Sequence, residues 1–432
     1  MICDNLTVTA QGRLIFAGRD ARELLTRYGS PLYVMDEARI RHNLRLYVDT
    51  LREAFGDSAM ALYASKACSF REMYRLAAAE GAGVDVVSAG EAYTAYTAGF
   101  PMDRVYFHGN NKTDEEIALA MDWGVGTFVV DGAEELAVID AEAGRRGITQ
   151  RVMLRITPGI DTHTYEAVAT GQVDSKFGSA IETGQAEQLV GQCLGYPHLT
   201  LCGFHCHVGS QVFDSDTFLR SSDIMLAFIA AMRHRYGYLA AELDLGGGYG
   251  VRYREDDPVI DIPQNIRQVA AHVKAACDRL GLPLPAIRME PGRSIVADAG
   301  MTLYTVGAVK RIPGYKNYVS VDGGMGDNPR YALYQAPYTV VCPEKMHEPA
   351  DMVCDLVGKC CESGDILQPK VSLPSTLTRG DLVAVLTTGA YNYSMASNYN
   401  RNPRLPVVMV SPDGDRVVVR RESLEDLVRN DV

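Results

Sequence analysis

Four groups of residues in this chain could do chemistry, and each closes a short run of strand-like composition. They are Lys66, the pair His205 and His207, the triplet Gly246-Gly247-Gly248, and Glu290-Pro291-Gly292-Arg293. A lysine amine can attack a carbonyl, glycines let backbone N–H groups close around a phosphate, and an imidazole can stack on a flat ring or ligate a metal. A buried carboxylate can pair with a ring nitrogen. Each has a plainer fate when taken alone. A strand-end lysine or glutamate is commonly a solvated or paired charge, and a glycine run is commonly a flexible loop. Their shared placement at strand ends is what asks for a common site.

The elements that must position them are regular. Eight runs read as strands: Ala61–Lys66, Val84–Ser88, Arg104–Gly109, Thr127–Asp131, Val152–Thr157, Leu201–Val208, Leu243–Gly248 and Ile287–Glu290. Stretches with apolar residues at three-to-four spacing lie between them, such as Arg71–Glu80, Asp114–Trp123, Ala133–Arg146 and Phe218–Tyr236. Eight strand–helix units in series predict a (β/α)8 barrel of the TIM type over residues 40–300, whose reactive side chains surround the mouth at the carboxyl ends of the strands. After Ala299 the pattern turns to short strands separated by Pro313-Gly314, Asp322-Gly323-Gly324, Arg379-Gly380-Asp381 and Pro412-Asp413-Gly414. Residues 301–432 therefore predict a β-barrel or sandwich domain. Residues 1–39, with strands at Leu14–Phe16 and Leu32–Val34, are expected to complete its sheet.

Composition narrows the function. The 432 residues are 47% hydrophobic and 22% charged, as expected of a globular chain with a large core. A net charge of −12 argues against a nucleic-acid partner, which needs clustered Lys and Arg. The first residues carry neither a basic segment nor an apolar stretch of signal-peptide length, and no run approaches the ~20 apolar residues of a membrane span. A soluble cytoplasmic protein is expected. Its ten cysteines show no disulfide-type spacing and read mainly as small buried hydrophobes, with adjacent Cys360 and Cys361 set apart.

Position sharpens each motif. Held among apolar neighbours, Lys66 would have its pKa lowered toward the neutral, nucleophilic amine. Gly247 and Gly248 end the seventh run, where barrels favour phosphate sites, and Val251 at the third glycine position rules out a dinucleotide fingerprint. Gly292 offers a second phosphate-binding N–H, and Arg293 an anion partner. With Glu290 for a ring nitrogen, the set suggests pyridoxal 5′-phosphate. Strand alternation puts His205 and His207 on one inward face. A metal pair lacks accompanying ligands at suitable spacing, so no metal is expected; an imidazole stacked on the cofactor ring, with Ser210 near the phosphate, fits better. The same parity turns Asp85, Arg155 and Asp244 inward, as an ionic layer beneath a cofactor or as structural charges.

Several segments then point one way: Tyr-Ala-Ser-Lys (63–66), Asp-Val-Val-Ser-Ala-Gly-Glu (85–91), Ser-Lys-Phe-Gly (175–178), His-Cys-His-Val-Gly-Ser-Gln (205–211), Glu-Pro-Gly-Arg (290–293) and Cys-Glu-Ser-Gly-Asp (361–365). Over nearly its whole length the chain resembles the bacterial diaminopimelate decarboxylases, pyridoxal-phosphate enzymes with an alanine-racemase-like barrel. The resemblance implies that Lys66 carries the cofactor and that His207 stacks on its ring. It also implies that Glu290 binds the ring nitrogen, and that Ser210, Gly247, Gly248, Pro291, Gly292, Arg293 and Tyr391 complete the cofactor site. Arg293, Arg330, Tyr334, Glu362 and Tyr391 would bind substrate. Cys361, reaching a partner subunit's site in a homodimer with shared active sites, would serve as proton donor. Tyr331 stands where many relatives carry proline, and Lys359-Cys360 where they carry Pro-x.

The implied reaction is decarboxylation of meso-2,6-diaminopimelate to L-lysine. The nearest rival is a decarboxylase of D-ornithine, D-lysine, arginine or a carboxylated polyamine on the same scaffold. Arg330 and Cys361–Asp365 weigh against it, because a polyamine-type substrate wants acid at its distal pocket. A racemase would not need the paired arginines. A catalytically dead regulator would not need to keep Lys66, Glu290 and Cys361, and a non-catalytic cofactor-binding homologue would need only the barrel.

Overall fold

A computed structural model describes residues 2–160 and 175–432. The chain divides into two compact units. One comprises residues 43–250 and 259–294, the other residues 1–42, 251–258 and 295–432.

The first unit is a closed parallel barrel. Its strands are β1 (Met60–Ala64), β2 (Gly83–Val86), β3 (Val105–Phe107), β4 (Thr127–Val130), β5 (Gln150–Thr157), β6 (Leu199–His205), β7 (Glu242–Asp244) and β8 (Ala286–Met289). Each pairs in parallel with the next, and β8 pairs with β1 through Arg288 opposite Met60 and Met289 opposite Ala61. All eight expected strands are present; His205 is the last residue of β6, and the other reactive residues lie just past their strands' ends. Lys66 sits in a 3-10 turn, Ser65–Ala67, and the glycine triplet and Glu290 follow their strands. A side chain or N–H that must face a ligand has left the ladder.

Local signals explain the surrounding helices. Asp114–Asp122 opens with a reciprocal capping box, Thr113 Oγ1 accepting from Glu116 N (3.2 Å) and Glu116 accepting from Thr113 N (3.1 Å). Ala133–Arg146, Asp216–Tyr236 and Ile262–Leu280 end on Gly147, Gly237 and Gly281 in the left-handed region, which a residue without Cβ adopts at least cost. No helix among the described residues is long and apolar enough to cross a membrane.

The barrel interior combines an apolar cluster (Leu62, Tyr106, Val129, Met153, Cys202) with a buried ionic plug that the sequence did not advertise. Tyr106 Oη donates to Glu242 Oε2 (2.9 Å), and Arg288 Nε donates to Tyr106 Oη (3.0 Å). Buried Arg288 places Nη2 3.1 Å from Glu242 Oε1, and exposed Arg151 reaches the same oxygen from the rim at 2.6 Å. Glu242 opens β7, so this network sits toward the amino-terminal end of the barrel, away from the reactive residues.

The second unit is built on one long strand, β9 (Gly300–Ile312). Its first half pairs with Leu32–Asp36 and with Leu382–Leu386, and its second half with Lys316–Val321. Leu32–Asp36 also lies parallel to Val407–Ser411, so an N-terminal strand does complete the sheet. Leu14–Phe16 does not. It forms a separate three-stranded sheet with Leu6–Val8 and Arg19–Asp20. An unforeseen strand, Ile366–Leu373, lies at the sheet edge. Pro369 argues against a strand, yet here it adjoins Lys370, whose φ is +53°, in a register shift opposite Cys354–Leu356. An edge bulge is where a strand accommodates proline.

Glu242→Ala should leave Arg288 buried without its carboxylate and destabilise the protein by about 3–5 kcal/mol. Glu242→Gln, which keeps an acceptor for Tyr106, should lose less. Urea unfolding midpoints check this, and an alanine variant that unfolds with wild type would contradict the role given to the plug.

Candidate active site

Within the barrel unit, Lys66 is held by its turn. Ser65 Oγ donates to Glu91 Oε2 (2.8 Å), which also accepts from Val87 N (2.8 Å), tying the end of β1 to the start of the helix after β2. Lys66 Nζ lies 3.6 Å from Asp85 Oδ2; the lysine side chain is half-exposed and Asp85 buried. The apolar surroundings expected for Lys66 are therefore not what it has.

The glycine triplet is required by close backbone packing. Asp244 Oδ1 accepts from Gly246 N (2.8 Å) and fixes the turn after β7. Gly246 has φ +69° and Gly248 φ +131°. A Cβ at Gly247 would fall 2.0 Å from the Glu290 carbonyl oxygen, and one at Gly248 2.4 Å from that of Gly209. The loops after β6, β7 and β8 thus meet main chain to main chain. Beside them, Arg293 Nη2 donates to Ser210 Oγ (3.0 Å). Pro291 O accepts from Ala64 N (3.0 Å), so the Glu-Pro-Gly-Arg segment is pinned to the end of β1. A lysine, a glycine-lined turn, a serine–arginine pair and a carboxylate are thereby gathered at one end of the barrel.

That carboxylate is gripped from two sides. Glu290 Oε1 is 2.7 Å from His108 Nε2, and Glu290 Oε2 is 3.2 Å from His205 Nε2. All three residues are buried, and the two imidazoles meet edge to face at 4.8 Å. Burial alone would raise the Glu290 pKa, but the two histidines outweigh it and hold the carboxyl well below its usual range. Burial drives the Asp244 pKa upward, aided by the charge on Glu290. Burial also pushes His205 down to about 4 despite Glu290.

His207 lies beyond the end of β6, so strand alternation does not extend to it; it is half-buried, where a Cβ on Gly246 would come 2.9 Å from its Nδ1. Burial, then Lys66 and Arg155, keep its pKa well below the ordinary histidine value. The three inward charges differ in their nearest partners. Asp85 faces Lys66, Asp244 braces the glycine turn, and the Arg155 guanidinium lies 4.5 Å over the Phe177 ring of the Ser175–Gly178 segment. His108 escaped the sequence reading, although its place at the end of the third strand run was a usable signal. His108, His205, Asp244 and Glu290 each offer a ligand-type atom within 4.8 Å of one another, but Glu290 already faces both histidines and Asp244 the glycine turn.

The second unit gathers the remaining candidates in two places. Arg330 opens the helix Arg330–Tyr334 and is buried, its guanidinium carbon 5.2 Å over the Tyr391 ring and 5.5 Å over that of Tyr334. Arg330 Nε finds no hydrogen-bond partner among the described residues. A buried guanidinium faced by rings is suited to an anionic group. Cys361 and Glu362 are exposed on a loop that buried Asp365 anchors, accepting from Met325 N (2.6 Å) and Cys360 N (2.7 Å). All ten cysteines are free thiols, and Cys361 is the exposed one.

Residues 38–297 match the pyridoxal-binding domain of pyridoxal-dependent decarboxylases. Diaminopimelate decarboxylase of Bacillus subtilis is 45% identical over 421 residues, spanning 98% of this chain and 95% of the relative. That of Synechocystis is 38% identical, spanning 98% and 91%. The crystal structure of diaminopimelate decarboxylase from M. jannaschii matches with a TM-score of 0.91 and 32% identity, over 99% of this chain and 98% of that one. The M. jannaschii enzyme has also been crystallised in co-complex with L-lysine.

Gly247→Ala forces the Glu290 carbonyl to move, and overpacking against backbone costs about 1–3 kcal/mol. The variant should melt at a lower temperature and lose most of its cofactor affinity. A variant with unchanged melting and cofactor uptake would show that the turn tolerates a methyl group.

Proposed function

We infer the reaction from one premise: the chain belongs to the diaminopimelate decarboxylase family of pyridoxal-dependent decarboxylases. It removes one carboxylate of meso-2,6-diaminopimelate as CO2 and yields L-lysine. The observation that carries the substrate assignment is Arg330, a buried cation with an unsatisfied Nε in a chain that otherwise matches this family end to end. A polyamine-type substrate would find no counter-charge there.

Pyridoxal phosphate, when bound, supplies an electron-accepting ring. Lys66 holds it covalently, and the Asp85 carboxylate stands beside that amine. Gly247, Gly248, Gly292, Ser210 and Arg293 hold its phosphate end, which the glycine-lined turn and the Ser210–Arg293 pair suit. Glu290, ionised by its two histidines, keeps a proton on the ring nitrogen, while Pro291 fixes the carboxylate's backbone against β1. His207, held neutral, offers a flat uncharged face to the ring. Tyr391, with φ +61°, is set beside Arg330. Arg330, Arg293, Tyr334 and Glu362 bind the distal ammonium–carboxylate end of the substrate. A polar pocket of that kind discriminates strongly, because a substrate lacking those groups leaves buried charges unpaired. Cys361 of the partner subunit returns a proton to the α-carbon, which makes the working form a cytoplasmic homodimer with shared active sites. Neither nucleic acid nor membrane is a partner.

The direct test is incubation of purified protein with meso-diaminopimelate, following lysine and CO2. Borohydride should fix the yellow cofactor to the peptide containing Lys66. Colourless protein that takes up no cofactor, or holoenzyme that makes no lysine, would overturn the reading. Arg330→Ala should lower kcat/KM for diaminopimelate by hundreds-fold, from the ~3–5 kcal/mol of a carboxylate buried without its partner. Trace turnover of lysine, which lacks that carboxylate, should stay level. An equal fall for both substrates would make Arg330 a support of the fold. Finally, mixing inactive Lys66→Ala with inactive Cys361→Ala protein should restore part of the activity through hybrid dimers. Proven subunit exchange without recovery would count against shared sites.

A further inference from the structure

Glu290 is enclosed by groups from several strands of the barrel. His108 follows β3, His205 ends β6, Asp244 ends β7, and the carboxylate itself follows β8. Asp85 of β2 lies 3.9 Å from His108 Nε2. Arg155 of β5 acts on the carboxylate through its charge. Three carboxylates (Asp85, Asp244, Glu290) are thus buried in one small volume, and mutual repulsion together with burial would protonate at least one of them. Hydrogen-bond donors decide which. Asp244 has spent one oxygen on Gly246 N, its other oxygen is buried without a partner, and its pKa is driven upward. Glu290 is hydrogen-bonded to His205 at one oxygen, has the His108 imidazole 2.7 Å from the other, and is driven the other way.

His205 gives Glu290 its hydrogen bond, and His108 gives it the closer contact. His205 stands at 3.2 Å, its Nδ1 is buried without a partner, and with its pKa near 4 it is neutral at physiological pH. Its Nε2 can donate to Glu290 only as the Nε2–H tautomer, which its unbonded Nδ1 permits. His108 is closer, at 2.7 Å on the other oxygen, and it touches Asp85 as well. It therefore stands between the carboxylate beside Lys66 and the carboxylate across the barrel. No other described side-chain donor approaches Glu290 Oε1 within ion-pair distance.

We propose that His108 is a positioning residue that keeps Glu290 ionised and oriented toward the nitrogen of the cofactor ring. This rests on the reading of Glu290 as the ring-nitrogen partner. His108 itself touches neither substrate nor cofactor in this role. It acts through the carboxylate, with hydrogen-bonded His205 as the second support. Replacing His108 by an apolar residue removes the imidazole that lies 2.7 Å from Glu290 Oε1 and 3.9 Å from Asp85, and leaves Glu290 with His205 alone, so its proton affinity rises. A protonated Glu290 has no charge with which to hold a protonated ring nitrogen.

The experiment compares His108→Leu, which removes the donor, with His108→Gln, which restores an N–H near the same place, and with Glu290→Gln. Each is purified as holoenzyme and its fold checked by thermal melting. The readouts are the cofactor dissociation constant, the absorbance of the bound cofactor against pH, and the acid limb of kcat/KM. A lost charge-assisted contact predicts roughly 10–100-fold weaker cofactor binding in His108→Leu. The acid limb should move up by about one pH unit or more. His108→Gln should recover most of both. Wild-type affinity and pH profile in a folded His108→Leu protein would overturn the proposal. So would a His108→Gln protein as impaired as His108→Leu, since that pattern means the imidazole only fills space. Should His108→Leu fail to fold, histidine NMR of the cofactor-free wild type and Glu290→Gln proteins decides. The His108 signal, assigned by its loss in His108→Gln, must change its titration when Glu290 is neutralised, and an unchanged titration overturns the contact. If Glu290→Gln binds cofactor with unaltered affinity and spectrum, the role of Glu290 fails instead, and the two failures are told apart.

Discussion

Pairing of the eighth barrel strand with the first is the constraint on which the site depends. With Arg288 opposite Met60 and Met289 opposite Ala61, the chain end that carries Glu290 is brought beside the one that carries Lys66. Pro291 O accepting from Ala64 N continues that pairing past the last ladder residue. The seventh strand hydrogen-bonds to the eighth in turn, and Glu290 N donates to Gly246 O (2.9 Å). Residues far apart in sequence therefore share a few ångströms because of backbone hydrogen bonds. Closure allows no slack: where three loops meet at the mouth, their carbonyl oxygens occupy the space of any Cβ at Gly246, Gly247 or Gly248. The glycine triplet is thus a packing requirement before it is a binding motif, and one geometry serves both.

Charge is handled differently at the two ends of the barrel. Toward the amino-terminal end, Glu242 is neutralised by Arg288 and Arg151 and also accepts from Tyr106, a closed arrangement with its charges paired. At the mouth, Asp85, Asp244 and Glu290 are buried with fewer fixed partners, and both oxygens of Asp85 lack a hydrogen bond among the described residues. Unsatisfied buried carboxylates cost stability in the absence of a ligand. Such a deficit belongs at a site that binds something, and a cationic lysine or a protonated ring nitrogen is the kind of group that relieves it. The second unit repeats the contrast. Buried Asp365 spends both its oxygens on the backbone of two loops, which fixes the segment displaying Cys361 and Glu362. Arg330 keeps an unsatisfied Nε between aromatic rings.

Much of this was legible in the residues because the signals are local. Alternating strand and helix periodicity marked all eight barrel strands, and reactive residues at their ends marked one mouth. Lys66, the glycine triplet and Glu290 could be nominated because a strand end is a property of neighbouring residues. The fifth strand ends at Thr157 as expected, but the ends of β1, β6 and β7 were placed two to four residues too late, since the residues after them keep a strand-like composition while their backbone turns toward the site. The edge strand Ile366–Leu373 was hidden by Pro369, which local rules count against a strand and which an edge bulge accommodates.

What only the tertiary structure decided is which charged groups meet. His108 is a single imidazole in a strand run, and its sequence neighbours carry no sign that Glu290, 182 residues later, will stop 2.7 Å away. Tyr106, Glu242 and Arg288 look like three unrelated polar residues until barrel closure faces them inward together. Asp85 and Asp244, equivalent by strand parity, separate into a lysine partner and a turn brace because different loops lie over them. By itself the sequence determined where strands end and which reactive types stand there, since those depend on a few adjacent residues. The protonation states and pairings at the mouth depend on distances between strands distant in the chain, and burial in a closed barrel is what sets them.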